Sequence, residues 1–176
     1  MDKDKINIVF IGLGSNEGDR INYLISAVKE ISKLKSCTLE AVSSLYESVP
    51  FDKSNQNNFI NAVIKITTEF DFLALLSQLK EIEKKLGRIK RERWGPREID
   101  LDILFFNDLI FSNEIITLPH EGVIYRDFVL VPLCEIQPDF CHPVFHKRIC
   151  DFIIDLKVKN IIKKFPNSLI IEEITS

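Results

Sequence analysis

Residues 99–106, Ile-Asp-Leu-Asp-Ile-Leu-Phe-Phe, restrict the architecture of this chain more than any other stretch. Alternate side chains on a strand face opposite ways, so Ile99, Leu101, Ile103 and Phe105 make one apolar face. The even positions change character along the strand, from Asp100 and Asp102 to Leu104 and Phe106. At its far end the strand is apolar on both faces and calls for cover from both sides. At its near end it presents two acids.

Residues i and i+2 share a strand face, so Asp100 and Asp102 stand side by side, roughly 6.6 Å apart at about 3.3 Å per residue. Two carboxylates that close can share metal ions. Mg²⁺ usually takes one or two of them and completes its octahedron with water and phosphate oxygens. Alone, such a pair is equally compatible with a solvated strand face. Just upstream, residues 88–97 hold Arg88, Lys90, Arg91, Arg93 and Arg97 against Glu92, in a loop centred on Trp94, Gly95 and Pro96. The whole chain of 176 residues carries a net charge of −3. The positive charge is therefore a local concentration, not the basic balance of a protein that coats nucleic acid.

The length fits one domain with a substantial core. The N-terminus is charged and shows no apolar signal region, and no apolar run approaches the length of a membrane span. These features predict a cytoplasmic chain without a membrane partner. Cys37, Cys134, Cys141 and Cys150 form no C-x-x-C, which predicts free, buried thiols in a reducing compartment. Cys141, His142, His146 and Cys150 lie close in sequence, but Pro143 interrupts them and they match no usual zinc spacing.

Residues 6–12 read as a buried strand ending in glycine. The turn that follows has glycines at 12, 14 and 18, which miss the G-x-G-x-x-G spacing, and no Walker lysine is present. Asp19 is placed to cap a helix with the apolar stripe Ile21, Leu24, Ile25, Val28, Ile31 and Leu34. Residues 37–48 predict a half-buried strand stopped near Pro50, and residues 59–66 another, with Phe59 and Asn61 on one face. An aromatic beside an amide is either an edge decoration or what a flat heterocycle needs: a surface to stack on and a donor–acceptor pair. Asp71 caps a second helix with Leu75, Leu76, Leu79, Ile82 and Leu86 inward and Gly87 as its stop. Glu83 falls on or beside that buried face. Asn107 and Asp108 predict a hairpin turn from which residues 109–111 return. A helical stretch follows Arg126, Asp127 and Phe128, then a helix near residues 147–157 and a final amphipathic segment. The pattern predicts an α+β sandwich with a mostly antiparallel sheet.

The motifs Arg93-Trp-Gly-Pro-Arg97-x-x-Asp100-Leu-Asp102, Gly-Leu-Gly-Ser-Asn at 12–16, Ser-Ser-Leu-Tyr at 43–46 and Phe-Ile-Asn-Ala-Val at 59–63 occur together here. Leu-Gly-Arg at 86–88, Leu-Pro-His at 118–120 and Arg-x-Phe-Val-Leu-x-Pro-Leu at 126–133 follow. In this order they resemble the 6-hydroxymethyl-7,8-dihydropterin pyrophosphokinase family of folate biosynthesis. The resemblance covers about residues 6–156 and leaves 157–176 as an extension of a single pyrophosphokinase unit. It implies a ferredoxin-like three-layer sandwich and transfer of the β,γ-pyrophosphate of ATP to a pterin alcohol, with AMP as the leaving group. Asp100 and Asp102 would hold two Mg²⁺ ions. Arg88 and Arg97 would stabilise phosphate charge; Glu83, His120, Arg126 and Trp94 would join them at ATP. Phe59 and Phe128 would sandwich the pterin, Asn61 would bond it, and Ser48, Phe51 and Trp94 would complete its site. Trp94 belongs to a loop that closes over the substrates and excludes water. A monomer is implied.

The sequence departs from that pattern at Glu121, where many members have proline, and at Ile115, where a cationic contact to ATP occurs. The loop from Gly87 to Trp94 is one residue shorter than in some relatives, which leaves Lys90 and Arg91 without an assigned role. Two other classes compete. An RNA-binding module would need basic residues across the sheet and an aromatic RNP pattern, which are missing. A metal-dependent phosphohydrolase would use the same acids, but would not need Phe59, Asn61 and Phe128.

Overall fold

The computed structural model describes residues 6–51, 55–91 and 95–175, with the side chains of Ser168, Leu169 and Thr175 left aside. Trp94 and Arg93, expected in the closing loop, lie outside the described residues. The order is β1 (Asn7–Ser15), α1 (Arg20–Ser32), β2 (Cys37–Val42), β3 (Leu45–Ser48), β4 (Phe59–Thr68), α2 (Phe72–Lys85) and β5 (Asp100–Phe106). Then come β6 (Phe111–Ser112), β7 (Thr117–Leu118), a 3₁₀ turn at Val123–Tyr125, α3 (Asp127–Ile136), α4 (Ile149–Asp155), β8 (Ile161–Phe165) and α5 (Ser168–Thr175).

The main sheet runs β5-β1-β4-β3-β8, with β2 also on β4, and its pairs are antiparallel. Up to β5, with β2 and β3 taken as one interrupted strand along β4, this is the β-α-β-β-α-β arrangement of ferredoxin-like folds. Helices cover both faces. On one, Leu24, Ala27, Val28 and Ile31 of α1 and Leu75, Leu79 and Ile82 of α2 pack on Val9, Ile11, Leu13, Ile64, Leu101 and Ile103. On the other, Leu130 and Leu133 of α3 and Ile149 of α4 meet Phe10, Val63, Leu104 and Phe105. The double-sided apolar end of β5 is thereby explained. Both expected caps are present: Asp19 accepts the Asn22 N–H at 3.1 Å and Asp71 that of Ala74 at 2.8 Å.

Four expectations are corrected. The first strand does not stop at Gly12: it continues to Ser15 because β4 and β5 flank it that far, with Gly14 opposite both Asn61 and Asp100. Residues 37–48 form two strands, broken at Ser43 and Ser44. There the Ser43 Oγ accepts the Val63 N–H at 2.9 Å while the Ser44 N–H turns to Glu135 on α3. Residues 109–111 do not return along β5. Asn107 adopts φ 48°, and Phe111 and Ser112 pair instead with Leu118 and Thr117. The thiols are not all free, since Cys134 on α3 and Cys150 on α4 form a disulfide with Cα atoms 5.4 Å apart. The two helices lie side by side within bridging range. Cys37 and Cys141 remain thiols.

The C-terminal extension is built into this frame. β8 adds a strand to β3, and Ile170 of α5 is buried in the core beneath α1. Among the described residues, no helix is long and apolar enough to cross a membrane.

Candidate active site

The start of β5 lies beside β1, with Asp100 opposite Gly14 and Asp102 opposite Gly12. Glycine at 14 reflects close approach: a Cβ there would stand 3.3 Å from the Asn61 Oδ1. The strand thus leaves open ground between the acids and Asn61. A cavity of about 400 Å³ occupies it, lined by Val49, Phe51, Phe59, Asn61, Arg97, Asp100, Asp102, His120, Arg126 and Phe128 among others. Most residues expected at the site meet there, although they come from five separate stretches of chain.

The aromatic side of this cavity is shaped by Phe59, Phe51 and Phe128. The rings of Phe51 and Phe128 stand 6.4 Å apart at 71°, and the Arg126 guanidinium carbon lies 5.4 Å from the Phe51 ring centre and 6.0 Å from that of Phe128. Ser48 is 1% exposed and does not line the cavity; its Oγ accepts from the Asn61 Nδ2 at 2.9 Å. It therefore fixes the orientation of the Asn61 amide. His120 accepts the Gly122 N–H on Nδ1 at 3.0 Å, which leaves Nε2 as the nitrogen free to face a ligand.

A second cavity, of about 430 Å³, lies on the other side of Arg97 and is lined by Lys80, Glu83, Lys84, Arg88, Lys90, Arg91 and Pro96 among others. Its positive lining is what a polyphosphate needs. Glu83, expected among the contacts to ATP, is 3% exposed with both oxygens engaged. One accepts the Leu101 N–H at 2.7 Å and Lys80 at 2.8 Å; the other pairs with Arg88. Its place is behind Arg88, as the anchor that ties α2 and β5 to that guanidinium.

Asp100 joins the two cavities. Arg88 donates to its Oδ1 at 2.6 Å and Arg97 to its Oδ2. Burial alone would push the Asp100 carboxyl up, but Arg97 and Arg88 outweigh it and hold the group below its ordinary range. Asp102 shifts the other way: burial, and then the Asp100 carboxylate beside it, push it up. No hydrogen bond or ion pair reaches the Asp102 carboxylate from the described residues. An acid pair of this kind attracts a cation. The described residues offer no cluster of three His, Cys, Asp or Glu for a metal, so any ion held here would rely on these two carboxylates and on oxygens brought by substrate.

Two residues that support the site were not singled out from sequence. Asn16 is fully buried, and its Oδ1 accepts the Arg97 N–H at 2.8 Å while its own N–H donates to the Arg97 carbonyl at 3.0 Å. It follows the glycines of a turn that read as purely conformational. The available signal was an amide, able to give and accept, at the end of that turn. Glu98 accepts the Ile89 N–H at 3.2 Å and pairs with Arg91. The Arg91 bond holds the Glu98 carboxyl below its ordinary range and gives Arg91 a defined place in the loop.

The site residues from Ser48 to Phe128 fall inside residues 10–138, which match the profile of the 7,8-dihydro-6-hydroxymethylpterin-pyrophosphokinase (HPPK) family. A 2-amino-4-hydroxy-6-hydroxymethyldihydropteridine pyrophosphokinase of Aquifex aeolicus is 40% identical over 157 residues, spanning 89% of this chain and 94% of the relative. One from Haemophilus influenzae is 43% identical over 134 residues, 76% of this chain and 84% of the relative. The fold also matches wild-type HPPK-DHPS of Plasmodium falciparum, crystallised with pterin and p-hydroxybenzoate. That match has a TM-score of 0.69 at 20% identity, over 88% of this chain and 42% of that one. By profile and by relatives, the chain belongs to the 7,8-dihydro-6-hydroxymethylpterin-pyrophosphokinase family.

Proposed function

We propose that this chain moves the β,γ-pyrophosphoryl group of ATP onto the hydroxymethyl oxygen of 6-hydroxymethyl-7,8-dihydropterin, releasing AMP, as a step of folate synthesis. The observation that carries the reading is the junction of the two cavities at Arg97 and Asp100. A pocket suited to a flat, hydrogen-bonding ring and a cationic cleft suited to a triphosphate share Arg97, and the carboxylate pair lines the ring pocket beside it, with Asp100 bonded to Arg88 and Arg97. A monomer as the working unit and a cytoplasmic setting belong to the same proposal.

In this reading Phe59 and Phe128 hold the pterin ring between them, and Asn61, oriented by Ser48, bonds its edge. Phe51 closes the pocket mouth. Arg88 and Arg97 bind phosphate oxygens, which planar guanidinium groups do two at a time, and His120 and Arg126 reach the nucleotide from the opposite side. The pterin oxygen attacks the β-phosphorus, the bond from that phosphorus to the α,β-bridging oxygen breaks, and the bridging oxygen departs with AMP. The hydroxyl proton passes to the Asp100 and Asp102 pair. Asp100 and Asp102 would hold two Mg²⁺ ions, which would supply charge neutralisation on both the attacking and the leaving side. Trp94, in the loop outside the described residues, is assigned to closing over the bound pair.

The test is to supply the purified protein with Mg²⁺, ATP and the pterin alcohol and to separate the products. AMP and pterin diphosphate in equal amounts are expected. ADP as the nucleotide product, or ATP turnover that ignores the pterin, would contradict the proposal and favour hydrolysis at the same acids.

A further inference from the structure

We propose that Asp127 is a positioning residue for the ring pocket, acting by fastening the C-terminal strand β8 to the helix that carries Phe128. The inference rests on reading that pocket as the pterin site. Asp127 stands at the start of α3, between Arg126 and Phe128, and is 3% exposed. Its Oδ1 accepts the Phe128 N–H at 2.9 Å, and its Oδ2 accepts the N–H groups of Asn160 at 2.7 Å and Ile161 at 2.9 Å. A buried carboxylate is costly unless its oxygens are met, and here three amides meet them.

Two of those amides belong to the segment that holds the end of β3, from which Val49 lines the pocket. The Asn160 carbonyl accepts the Val49 N–H at 3.0 Å, and Ile161 pairs with Ser48 in the β3–β8 ladder. Val49 and Phe51 line the pocket as Phe128 does, with the Phe51 and Phe128 rings 6.4 Å apart. One carboxylate thus ties together two chain segments that shape the aromatic side of the pocket. Asn160 is held there by its backbone, since its side-chain Oδ1 is buried without a hydrogen-bond partner among the described residues. An orphaned acceptor is tolerated only where other bonds dictate the position. The strand that supplies these amides lies beyond residue 138, where the family profile ends.

Glu135 provides the comparison. It holds the same helix to the sheet, accepting from Ser44 Oγ at 2.7 Å and Tyr46 Oη at 2.6 Å. It lies about 10 Å along the helix from Phe128, at 1.5 Å per residue. Loosening α3 there should lower stability without moving the pocket wall.

The experiment is steady-state kinetics on Asp127→Asn, Asp127→Ser and Glu135→Gln, with thermal melting of each. In Asp127→Asn an amide nitrogen replaces one acceptor oxygen, so the KM for the pterin is expected to rise about tenfold, with kcat and the KM for ATP changed less than about twofold. Asp127→Ser, which withdraws the acceptor from Asn160 and Ile161 without placing an amide nitrogen against them, is also expected to raise the pterin KM. Glu135→Gln is expected to lower the Tm and leave the pterin KM unchanged. An unaltered pterin KM in Asp127→Asn, a rise shared equally by Glu135→Gln, or failure of both Asp127 variants to fold overturns the proposal and leaves Asp127 a merely structural residue. Wild-type protein that consumes ATP without the pterin would instead overturn the site reading itself, and the same assay reveals this before any variant is compared.

Discussion

Asp100 and Asp102 are two residues apart and are shifted in opposite directions, because burial dominates at Asp102 while Arg97 and Arg88 pair directly with Asp100. Folded Asp102 holds its proton to higher pH than the unfolded chain does. Its contribution favours folding at acid pH and is lost as pH rises through the folded-state value. Asp100 has the reverse dependence: its stabilisation is present above the unfolded value and lost as pH falls through the folded one. Asp102→Asn should therefore raise the Tm at neutral pH. The gain should vanish near pH 4, the ordinary range of the group. Melting curves across pH check this, and a Tm lowered at neutral pH would contradict it. The same variant should lose about 10²-fold or more in turnover, so stability and activity separate at this one position. The D-x-D spacing was legible in the sequence, but the inequality of the two acids was not. It arises from guanidinium groups brought in by a loop whose path depends on Asn16 and Glu98.

At the scale of elements, α2 shows what local patterning conveys and what it leaves out. Its cap at Asp71, its stripe of Leu75, Leu79 and Ile82 and its stop at Gly87, where φ is +88°, follow from residue chemistry over a few positions. What fastens α2 to β5 is Glu83, eighteen residues away from Leu101. Glu83→Gln keeps the shape and removes the charge opposite Arg88, so it should cost about 1–3 kcal/mol of stability and raise the KM for ATP more than that for the pterin. Denaturant titration and the two KM values check it; equal change in both would separate Glu83 from the phosphate cleft. The break at Ser43 and Ser44, the β6–β7 pairing and the Cys134–Cys150 disulfide escaped local reading for a common reason. Each depends on a partner from a distant part of the chain: Val63 and Glu135 for the serines, residues 117–118 for β6, and a neighbouring helix for Cys134. The extension after residue 156 escaped it too, because β8 is recognisable only when β3 offers it an open edge.

For the molecule as a whole, an acidic chain gathers six of its 23 lysines and arginines in one cleft. In the proposed function a triphosphate would be drawn to Lys80, Lys84, Arg88, Lys90, Arg91 and Arg97 through charge, whereas the uncharged pterin would be held by rings and an amide. Screening acts on the first and hardly on the second, with a Debye length of about 10 Å at 0.1 M salt and about 3 Å at 1 M. The KM for ATP should rise several-fold over that span while the KM for the pterin stays nearly constant. A parallel rise would place the nucleotide outside the basic cleft. The order of helices and strands, and most of the site, could be read from motifs in this chain, since those motifs sit at strand ends that the sheet gathers together. The division into two cavities could not, because it depends on where Arg97 lies in three dimensions.

The central claim is that the two cavities act on one pair of substrates, and tracing the β-phosphorus tests it most directly. With ATP labelled at that atom, Mg²⁺ and 6-hydroxymethyl-7,8-dihydropterin, the label is predicted in the pterin product, one equivalent for each AMP formed. Label recovered in ADP, or in free pyrophosphate with the pterin unaltered, would contradict the account.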